Sequence, residues 1–225
     1  MSAPPLRLIY GGTFDPVHNG HLHIARRARD ELGVPVWMLP AADPPHRPPP
    51  GASAAQRARM LQLAVAKEPG LRVDARELHR AARQPGVPSW SVYTLREIRA
   101  ETGPRTPLAW LMGADSLLGL STWHQWDSML ELAHIVVAER PGNALDGRLP
   151  AVLECHLQNA WADAPARLHE RPAGWVWRLR QPLQDESASA VRNLIAAGGP
   201  WRHWLPPAVA DYIADHGLYG CHAPA

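Results

Sequence analysis

The apolar residues of the chain fall into short runs that alternate with amphipathic stretches. Six runs are mostly apolar or alternate between apolar and polar positions, as strands do: residues 6–10, 34–39, 71–75, 107–113, 134–138 and 174–179. Apolar residues recur at helical spacing in residues 22–32, 57–67, 92–99, 127–133, 185–195 and 207–216, with a shorter possibility at 151–158. The stretch 76–83 is predicted to be a polar loop. Strands that alternate with helices predict an α/β fold with a mainly parallel sheet covered on both faces.

The turn between the first strand and the first helix carries the clearest chemical signal. His18 and His21 are three residues apart, so we expect them on one face of the helix's first turn. The first amides of a helix lack internal partners and that end is partially positive, which together favour anion binding. Two imidazoles add directed donors, and Gly20 between them leaves room for a phosphate to approach the backbone. The alternative is that both histidines are ordinary helix-start residues.

Composition narrows the class of protein. A chain of 225 residues with 46% hydrophobic and 20% charged residues is large enough for one core, and we expect a single domain. The net charge of +2 gives no sign of a nucleic-acid partner. No apolar run approaches the roughly 20 residues that span a bilayer, so we expect no membrane partner and a cytoplasmic location.

Two residue types limit the chemistry further. Lys67 is the only lysine, so phosphate contacts are expected mainly from arginine or histidine. Cys155 and Cys221 lie far apart and outside any metal-ligand spacing, so neither a disulfide scaffold nor a structural metal site is predicted.

Residues 11–21 read Gly-Gly-Thr-Phe-Asp-Pro-Val-His-Asn-Gly-His, and this run resembles the signature of the HxGH nucleotidyltransferase superfamily. More distant segments resemble its bacterial nicotinate-nucleotide adenylyltransferase family, from residue 6 to about residue 219 and most weakly between residues 141 and 175. The resemblance implies one Rossmann-like, doubly wound nucleotidyltransferase domain over residues 1–225, with a C-terminal helical cap from about residue 185. The implied reaction joins ATP and nicotinate mononucleotide into nicotinate adenine dinucleotide and releases pyrophosphate, a step of NAD synthesis.

The resemblance also implies roles for residues spread along the chain. The catalytic residues would be His18, His21 and Arg192. Those that would bind ATP are Gly11, Gly12, Thr13, Phe14, His46, Arg47, Gly113, Asp115, Ser187 and Ser189. Those that would bind the mononucleotide are Trp90, Ser91, Trp123, His124 and Arg140. Trp123 is the sharpest specificity residue of this set, because an indole face stacks on a flat pyridinium cation and attracts it through its quadrupole.

Plainer explanations remain open for several of these residues. Residues 41–50 have the proline-rich composition of an exposed linker, Asp115 is suited to capping a helix, and any one tryptophan is commonly a packing residue. The chain also departs from the family pattern at His124, where tyrosine is usual. It departs again at Glu186 and Ser189, where isoleucine and threonine are usual, and Glu186 places a negative charge beside an expected phosphate site.

No nucleophile or general base is expected, because the attacking atom would be a phosphate oxygen that is already ionised at neutral pH. Catalysis would consist of positioning and charge stabilisation. Mg²⁺ is the implied cofactor, bound through the ATP phosphates with few or no protein ligands. The alternatives are another acceptor, such as nicotinamide mononucleotide or phosphopantetheine, and a nucleotide-binding sensor without turnover. The sequence leaves the oligomeric state open, a homo-oligomer included.

Overall fold

A six-stranded sheet, in which every strand runs parallel to its neighbours, forms the centre of the protein. The structure is a computed structural model that describes residues 4–42, 51–139, 145, 147–180 and 186–221. The strands are β1 (Arg7–Gly12), β2 (Val36–Pro40), β3 (Leu71–Val73), β4 (Leu108–Gly113), β5 (His134–Ala138) and β6 (Val176–Arg178). Their order across the sheet is β3-β2-β1-β4-β5-β6.

Helices connect the strands and cover both faces of the sheet. The described α-helices are α1 (Asn19–Leu32), α2 (Ala54–Val65), α3 (Arg76–Arg83), α4 (Ser91–Thr102), α5 (Ala114–Leu118), α6 (Met129–Leu132), α7 (Ala151–Leu157), α8 (Ala188–Ala196) and α9 (Pro207–Asp215). Short 3-10 turns lie at Leu120–Thr122, Trp126–Ser128, Pro165–His169, Arg202–Trp204 and Leu218–Gly220. Within the described part of the chain, no helix has the length and apolar character needed to cross a membrane.

Successive residues of the central strands point into two different cores. Tyr10 on β1 and Leu111 on β4 belong to one cluster of buried side chains, together with residues of α1, α2, α8 and α9. Ile9 and Trp110 belong to the other cluster, together with residues of α4, α5, α6 and α7. Because side chains alternate between the faces of a strand and both faces are covered, these strands read as continuous apolar runs. The predicted doubly wound α/β fold is confirmed.

The two C-terminal helices complete the first core. Val191 and Ile195 of α8, with Val209 and Ile213 of α9, are buried in the same cluster as Tyr10. The predicted C-terminal helical cap is therefore present, and it packs on the sheet through apolar side chains.

Residues 76–83, predicted as a polar loop, form helix α3, so that prediction is wrong. The inward side of α3 carries a carboxylate where most helices carry apolar residues, because Glu77 is only 3% exposed. Arg80 ties the helix to α4 through a hydrogen bond of 2.6 Å from Nη1 to the Glu97 carboxylate. Hydrophobic periodicity cannot reveal a helix that is anchored by charges.

Helix α1 begins at Asn19 with His18 as its N-cap residue, so both histidines lie at its first turn, as the sequence predicts. Helix α8 begins at Ala188 and not at residue 185.

The strand order reverses between β1 and β4. In open α/β sheets, ligands bind outside the carboxyl ends of the strands at such a reversal. The loop after Gly12 and the chain after Gly113 leave the sheet there, since β1 and β4 are parallel neighbours. The fold therefore places the predicted phosphate-binding turn at the position where a nucleotide is expected.

At the opposite end of the sheet, His134 begins β5 and is fully buried. Its Nδ1 accepts a hydrogen bond of 3.0 Å from the Trp175 backbone N–H, and its Nε2–H donates to the Arg171 carbonyl at 2.9 Å. Burial lowers the pKa of His134 from 6.5 to about 4. The folded protein therefore keeps this imidazole neutral under conditions in which the unfolded chain protonates it.

Acidification is expected to weaken the fold through His134. Below pH 6.5 the unfolded chain binds the proton first, so this contribution to stability is complete above pH 6.5 and is lost as the pH falls towards 4. Between pH 7 and pH 5 the free energy of unfolding should fall by about 2 kcal/mol on this account. Urea denaturation at both pH values measures the change. In His134→Gln, which has no group to protonate, the fall should be smaller by this amount; an identical fall would contradict the assignment.

Candidate active site

The loop after β1 turns sharply and packs its own side chains inward. Phe14 has a left-handed backbone (φ 51°), and the peptide bond before Pro16 is cis. Trp110 of β4 lies so close to Gly11 that a Cβ there would overlap the indole ring. Phe14 is 2% exposed and meets the His21 ring edge-on, with 5.0 Å between ring centroids. If Gly11 or Phe14 contacts ATP, the contact therefore comes from the backbone.

His18 and His21 lie together at the start of α1, as the sequence predicts. His18 is the N-cap residue and is fully buried, whereas His21 lies in the first turn and is half-buried. Their ring centroids are 3.7 Å apart. The His18 backbone N–H donates to His21 Nδ1 at 3.3 Å. Because Nδ1 accepts, the neutral His21 ring carries its proton on Nε2, and Nε2 is the nitrogen that donates.

Asp15 is a buried carboxylate within the same loop, and no role is predicted for it from the sequence motif that contains it. Its Oδ2 accepts from the Gly51 backbone N–H at 2.8 Å, and its Oδ1 accepts from the Ala52 N–H at 3.1 Å. The hydroxyl of Tyr219 donates to Oδ1 at 2.7 Å. Asp15 therefore joins the β1–α1 loop to the start of α2 and to the C-terminal end of the chain.

Arg192 of α8 reaches the same loop from the C-terminal cap. Its Nη1 donates to the Asp15 carbonyl oxygen at 2.6 Å and lies 3.7 Å from Asp15 Oδ2. Its Nη2 donates to Ser189 Oγ at 3.3 Å. Ser187 caps α8, since its side chain accepts from the Ala190 N–H at 3.2 Å. The structure thus brings the predicted arginine and serines of α8 to the turn that carries the two histidines.

Glu186 lies over the first turn of α1. Its Cβ is 3.4 Å from the position that a Cβ on Gly20 would occupy, and His18 Nδ1 is 3.1 Å from that position. Gly20 therefore lets the chain before α8 and the His18 ring approach each other closely. The acidic residue that departs from the family pattern is a direct neighbour of the predicted phosphate site.

Arg57 is a further residue of this region that the sequence analysis missed. It is fully buried in α2, and its guanidinium donates to the backbone carbonyls of Thr13 at 2.8 Å and Ala41 at 2.7 Å. It also donates to the carbonyls of Ala42 and Ala52. Arg57 thereby holds the loop after β1. It also holds the residues on either side of residues 43–50, the stretch that carries His46 and Arg47. A signal existed: Arg57 occupies an inward position of an otherwise apolar helical period.

Gly113, the last residue of β4, and Asp115 of α5 lie close together. Gly113 precedes α5 as its N-cap residue, and Asp115 Oδ1 occupies the space where a Cβ on Gly113 would be. Asp115 is exposed at the carboxyl end of the sheet. The N-cap position of α5 is occupied by Gly113, and Asp115 is the second residue of the helix.

Two aromatic side chains, Trp90 and Tyr93, lie against His124, and these three residues are called here the aromatic group. Trp90, the N-cap residue of α4, stacks on His124 with 5.1 Å between centroids and 26° between planes. The Tyr93 hydroxyl and His124 Nε2 are hydrogen-bonded at 3.1 Å, so Tyr93 is a member that the sequence analysis missed. Ser91 begins α4 and is half-buried, and Trp123 packs half-buried against the second core.

The aromatic group and the histidine turn lie at the same end of the sheet. Helix α4 has 12 residues and leads down to the start of β4, so its first residues lie towards the carboxyl ends of the strands. Trp123 follows α5, the helix that begins where β4 ends.

Three predicted residues, His46, Arg47 and Arg140, lie outside the described residues. Among the residues that the structure does describe, no group of three or more histidine, cysteine, aspartate or glutamate side chains is arranged to hold a metal ion.

Removing the Tyr219 hydroxyl tests how strongly Asp15 depends on its donors. Tyr219→Phe keeps the ring but leaves the buried carboxylate with one donor fewer, so the free energy of unfolding should fall by about 2 kcal/mol. Burial and the nearby Asp15 charge raise the pKa of Tyr219 far above its usual range, so the hydroxyl stays a donor. Chemical denaturation at neutral pH measures the loss.

Tyr212→Phe is the matched control for this experiment. Tyr212 lies on α9 and stacks on His216 with 3.9 Å between ring centroids, a contact that phenylalanine can keep. The free energy of unfolding of this control variant should fall by no more than about 0.5 kcal/mol. Equal losses in the two variants would contradict a special role for the Asp15 contact.

Comparison with known proteins places this chain in a family. Residues 9–194 match the cytidylyltransferase-like family. A protein of Stenotrophomonas maltophilia (strain K279a), named "Probable nicotinate-nucleotide adenylyltransferase", is 63% identical over 219 residues, which cover 97% of this chain and 99% of that protein. A protein of the same name from Xylella fastidiosa (strain M12) is 52% identical over 219 residues, covering 97% and 98%.

The fold agrees with a solved structure of the same group. The structure described as Plasmodium falciparum nicotinic acid mononucleotide adenylyltransferase complexed with NaAD superposes with a TM-score of 0.71, covers 97% of this chain and 99% of its own, and shares 16% of its residues. At that identity the likeness concerns the fold. Together with the two bacterial relatives and the arrangement at β1 and β4, it leads to one conclusion: the chain belongs to the nicotinate-nucleotide adenylyltransferases, a group of nucleotidyltransferases within the cytidylyltransferase-like family.

Proposed function

We propose that this chain transfers the adenylyl group of ATP to nicotinate mononucleotide, forming nicotinate adenine dinucleotide and releasing pyrophosphate in NAD synthesis. The observation that carries the proposal is the contact of Arg192 with Asp15 in the turn that leads to the paired His18 and His21 rings, at the reversal of strand order. Convergent imidazole and guanidinium donors at a helix start suit a chain of phosphates. The names of the close bacterial relatives support the same reaction.

The reaction needs positioning more than proton transfer. The attacking oxygen belongs to the mononucleotide phosphate, which is largely ionised at neutral pH. The protein therefore has to align this oxygen with the α-phosphorus of ATP and stabilise the charge on the transferring and departing oxygens. We assign that stabilisation to the His21 Nε2–H and to the Arg192 guanidinium. His18, buried beside Gly20, supplies the second imidazole at the point where the backbone comes closest.

The remaining ATP contacts follow from the loops around this turn. Thr13 and Gly12 offer backbone groups after β1, and Asp115 offers an exposed carboxylate to the ribose hydroxyls beside Gly113. The α8 serines supply hydroxyls near the phosphates, although Ser187 already accepts from a backbone N–H. His46 and Arg47 are proposed as further phosphate contacts on the basis of the family resemblance.

The aromatic group around His124 is proposed to bind the acceptor. A pyridinium ring is a flat cation, so an indole face attracts it by stacking and through its quadrupole. Trp123 is the assigned platform, and Trp90, Ser91 and His124 border the same place. His124 stands where the family has tyrosine, and Tyr93 brings a phenolic hydroxyl to it. Arg140 is proposed to contact the mononucleotide by resemblance.

Mg²⁺ fits this site as an ion held by the substrate. The buried Asp15 carboxylate already accepts three hydrogen bonds, which makes it unsuited to serve as a metal ligand. ATP phosphate oxygens and water would coordinate the ion, which would neutralise phosphate charge. We further propose that residues 1–225 act as one domain in the cytoplasm, where a reducing environment keeps Cys155 and Cys221 as the free thiols that the structure has.

The direct test is pyrophosphate release from ATP with three acceptors in turn. Nicotinate mononucleotide should give the highest kcat/KM, ahead of nicotinamide mononucleotide, and phosphopantetheine should give none above background. Preference for either other acceptor would contradict the assigned specificity. ATP binding without release with any acceptor would instead identify a nucleotide sensor.

His21→Ala should lower kcat by roughly 100-fold or more, the scale of one lost transition-state donor. The measurement is steady-state turnover at saturating ATP and acceptor, with folding checked by circular dichroism. His79→Ala, which removes an exposed imidazole from α3, is the control and should keep near-normal turnover. A folded His21→Ala protein with normal kcat would remove His21 from the catalytic residues.

A further inference from the structure

A buried polar cluster lies between α3 and α4, and the proposed reaction does not use it directly. Its members are Glu77, Arg80, Ser89 and Thr94, called here the Glu77 cluster. Glu77 is 3% exposed and Thr94 is fully buried. The carboxylate thus sits in the interior, and Glu77 is the one residue of α3 that is buried.

The cluster is closed by short hydrogen bonds. Thr94 Oγ1 donates to Glu77 Oε1 at 2.6 Å. Arg80 Nη2 donates to Ser89 Oγ at 2.8 Å and to Thr94 Oγ1 at 2.6 Å, and lies 3.8 Å from Glu77 Oε1. The other nitrogen, Nη1, binds Glu97 at 2.6 Å. The guanidinium of Arg80 therefore holds both α4 and the segment that leads into α4.

The Glu77 carboxylate is held by its neighbours in the cluster. Burial raises the pKa of its carboxyl, and this rise is opposed by hydrogen bonds from Thr94, Ser89 and the Ala42 backbone and by the charge of Arg80. A buried carboxylate is costly, and its hydrogen bonds define one arrangement more sharply than apolar contacts do.

The residue that Arg80 holds directly precedes the aromatic group. Ser89 is followed by Trp90, the N-cap residue of α4, and by Ser91, its first residue. The N-cap of α4 makes no side-chain hydrogen bond, so the usual capping contact does not orient this segment. Trp90 in turn stacks on His124. The contact between Arg80 and Ser89 is therefore a polar link between the interior and this side of the pocket.

We propose that Arg80 and Glu77 are positioning residues for the mononucleotide, which fix the Ser89–Ser91 segment and through it the place of Trp90 against His124. The inference rests on the proposed function, in which Trp90, Ser91 and His124 border the acceptor. It predicts that breaking the cluster weakens acceptor binding and leaves the ATP side of the site unchanged.

Three variants test this role: Arg80→Met, Ser89→Ala and the double variant. The KM for nicotinate mononucleotide should rise about tenfold in each, the scale of one charge-assisted hydrogen bond. The KM for ATP and the kcat at saturating acceptor should stay close to the parent values. Because the two residues act through one contact, the double variant should be no worse than Arg80→Met alone.

Arg83→Met is the matched control, since Arg83 lies on the same helix and donates to the His79 carbonyl of α3 itself. Its KM values should not change. Calorimetry measures the binding of nicotinate mononucleotide alongside turnover. If the unsubstituted protein binds the mononucleotide without turning it over, the proposed function is wrong, but the Kd values of the variants still test the Glu77 cluster. If it neither binds nor turns over the mononucleotide, the proposed function and the proposed role of the cluster are both overturned.

The proposal is overturned if the acceptor KM and Kd stay unchanged, if the ATP and acceptor KM values rise together, or if the effects of the two substitutions add. If Arg80→Met does not fold, Ser89→Ala decides alone, because it removes only the hydroxyl that Arg80 holds. An unchanged acceptor KM and Kd in Ser89→Ala then overturns the proposal.

Discussion

The hydrogen bonds of the buried Asp15 carboxylate are the interaction on which this site depends. A carboxylate that is 5% exposed destabilises a protein unless its acceptor positions are filled. Here the backbone of Gly51 and Ala52 and the hydroxyl of Tyr219 fill them, while the Asp15 carbonyl binds Arg192. Asp15 thus draws three separate parts of the chain to the turn after β1. Positioning for catalysis follows from these contacts.

The charges around Asp15 favour an anionic ligand. Arg57 and Arg192 both approach this region, and both oppose the rise in the pKa of Tyr219. Arg57 directs its guanidinium at backbone carbonyls, whereas Arg192 lies at the surface with 35% of its side chain exposed. Around Asp15 itself one carboxylate faces two guanidinium groups, which favours an anion beside the helix start. Glu186, over the first turn of α1, opposes this with a second carboxylate.

The sequence predicts the sheet and the turn because their signals are local. Buried strands read as apolar runs, and the glycines and histidines after β1 form one continuous motif. The contacts that complete the site are not local. Tyr219 and Asp15 are 204 positions apart, and nothing near either residue indicates the other. Helix α3 was missed because its inward face carries Glu77, and the burial of Arg57 was missed because an arginine in an apolar period is easily taken for a surface residue. Tyr93 is 36% exposed on α4, so only its contact with His124 gives it a place in the pocket.

The most direct measurement is a crystal structure of the protein with a non-hydrolysable ATP analogue. The account predicts triphosphate oxygens within about 3.2 Å of His21 Nε2 and of the Arg192 guanidinium. It also predicts that Asp15 keeps its contacts with Gly51, Ala52 and Tyr219. A triphosphate bound away from the turn after β1, or an Asp15 carboxylate released from these three donors, would contradict it.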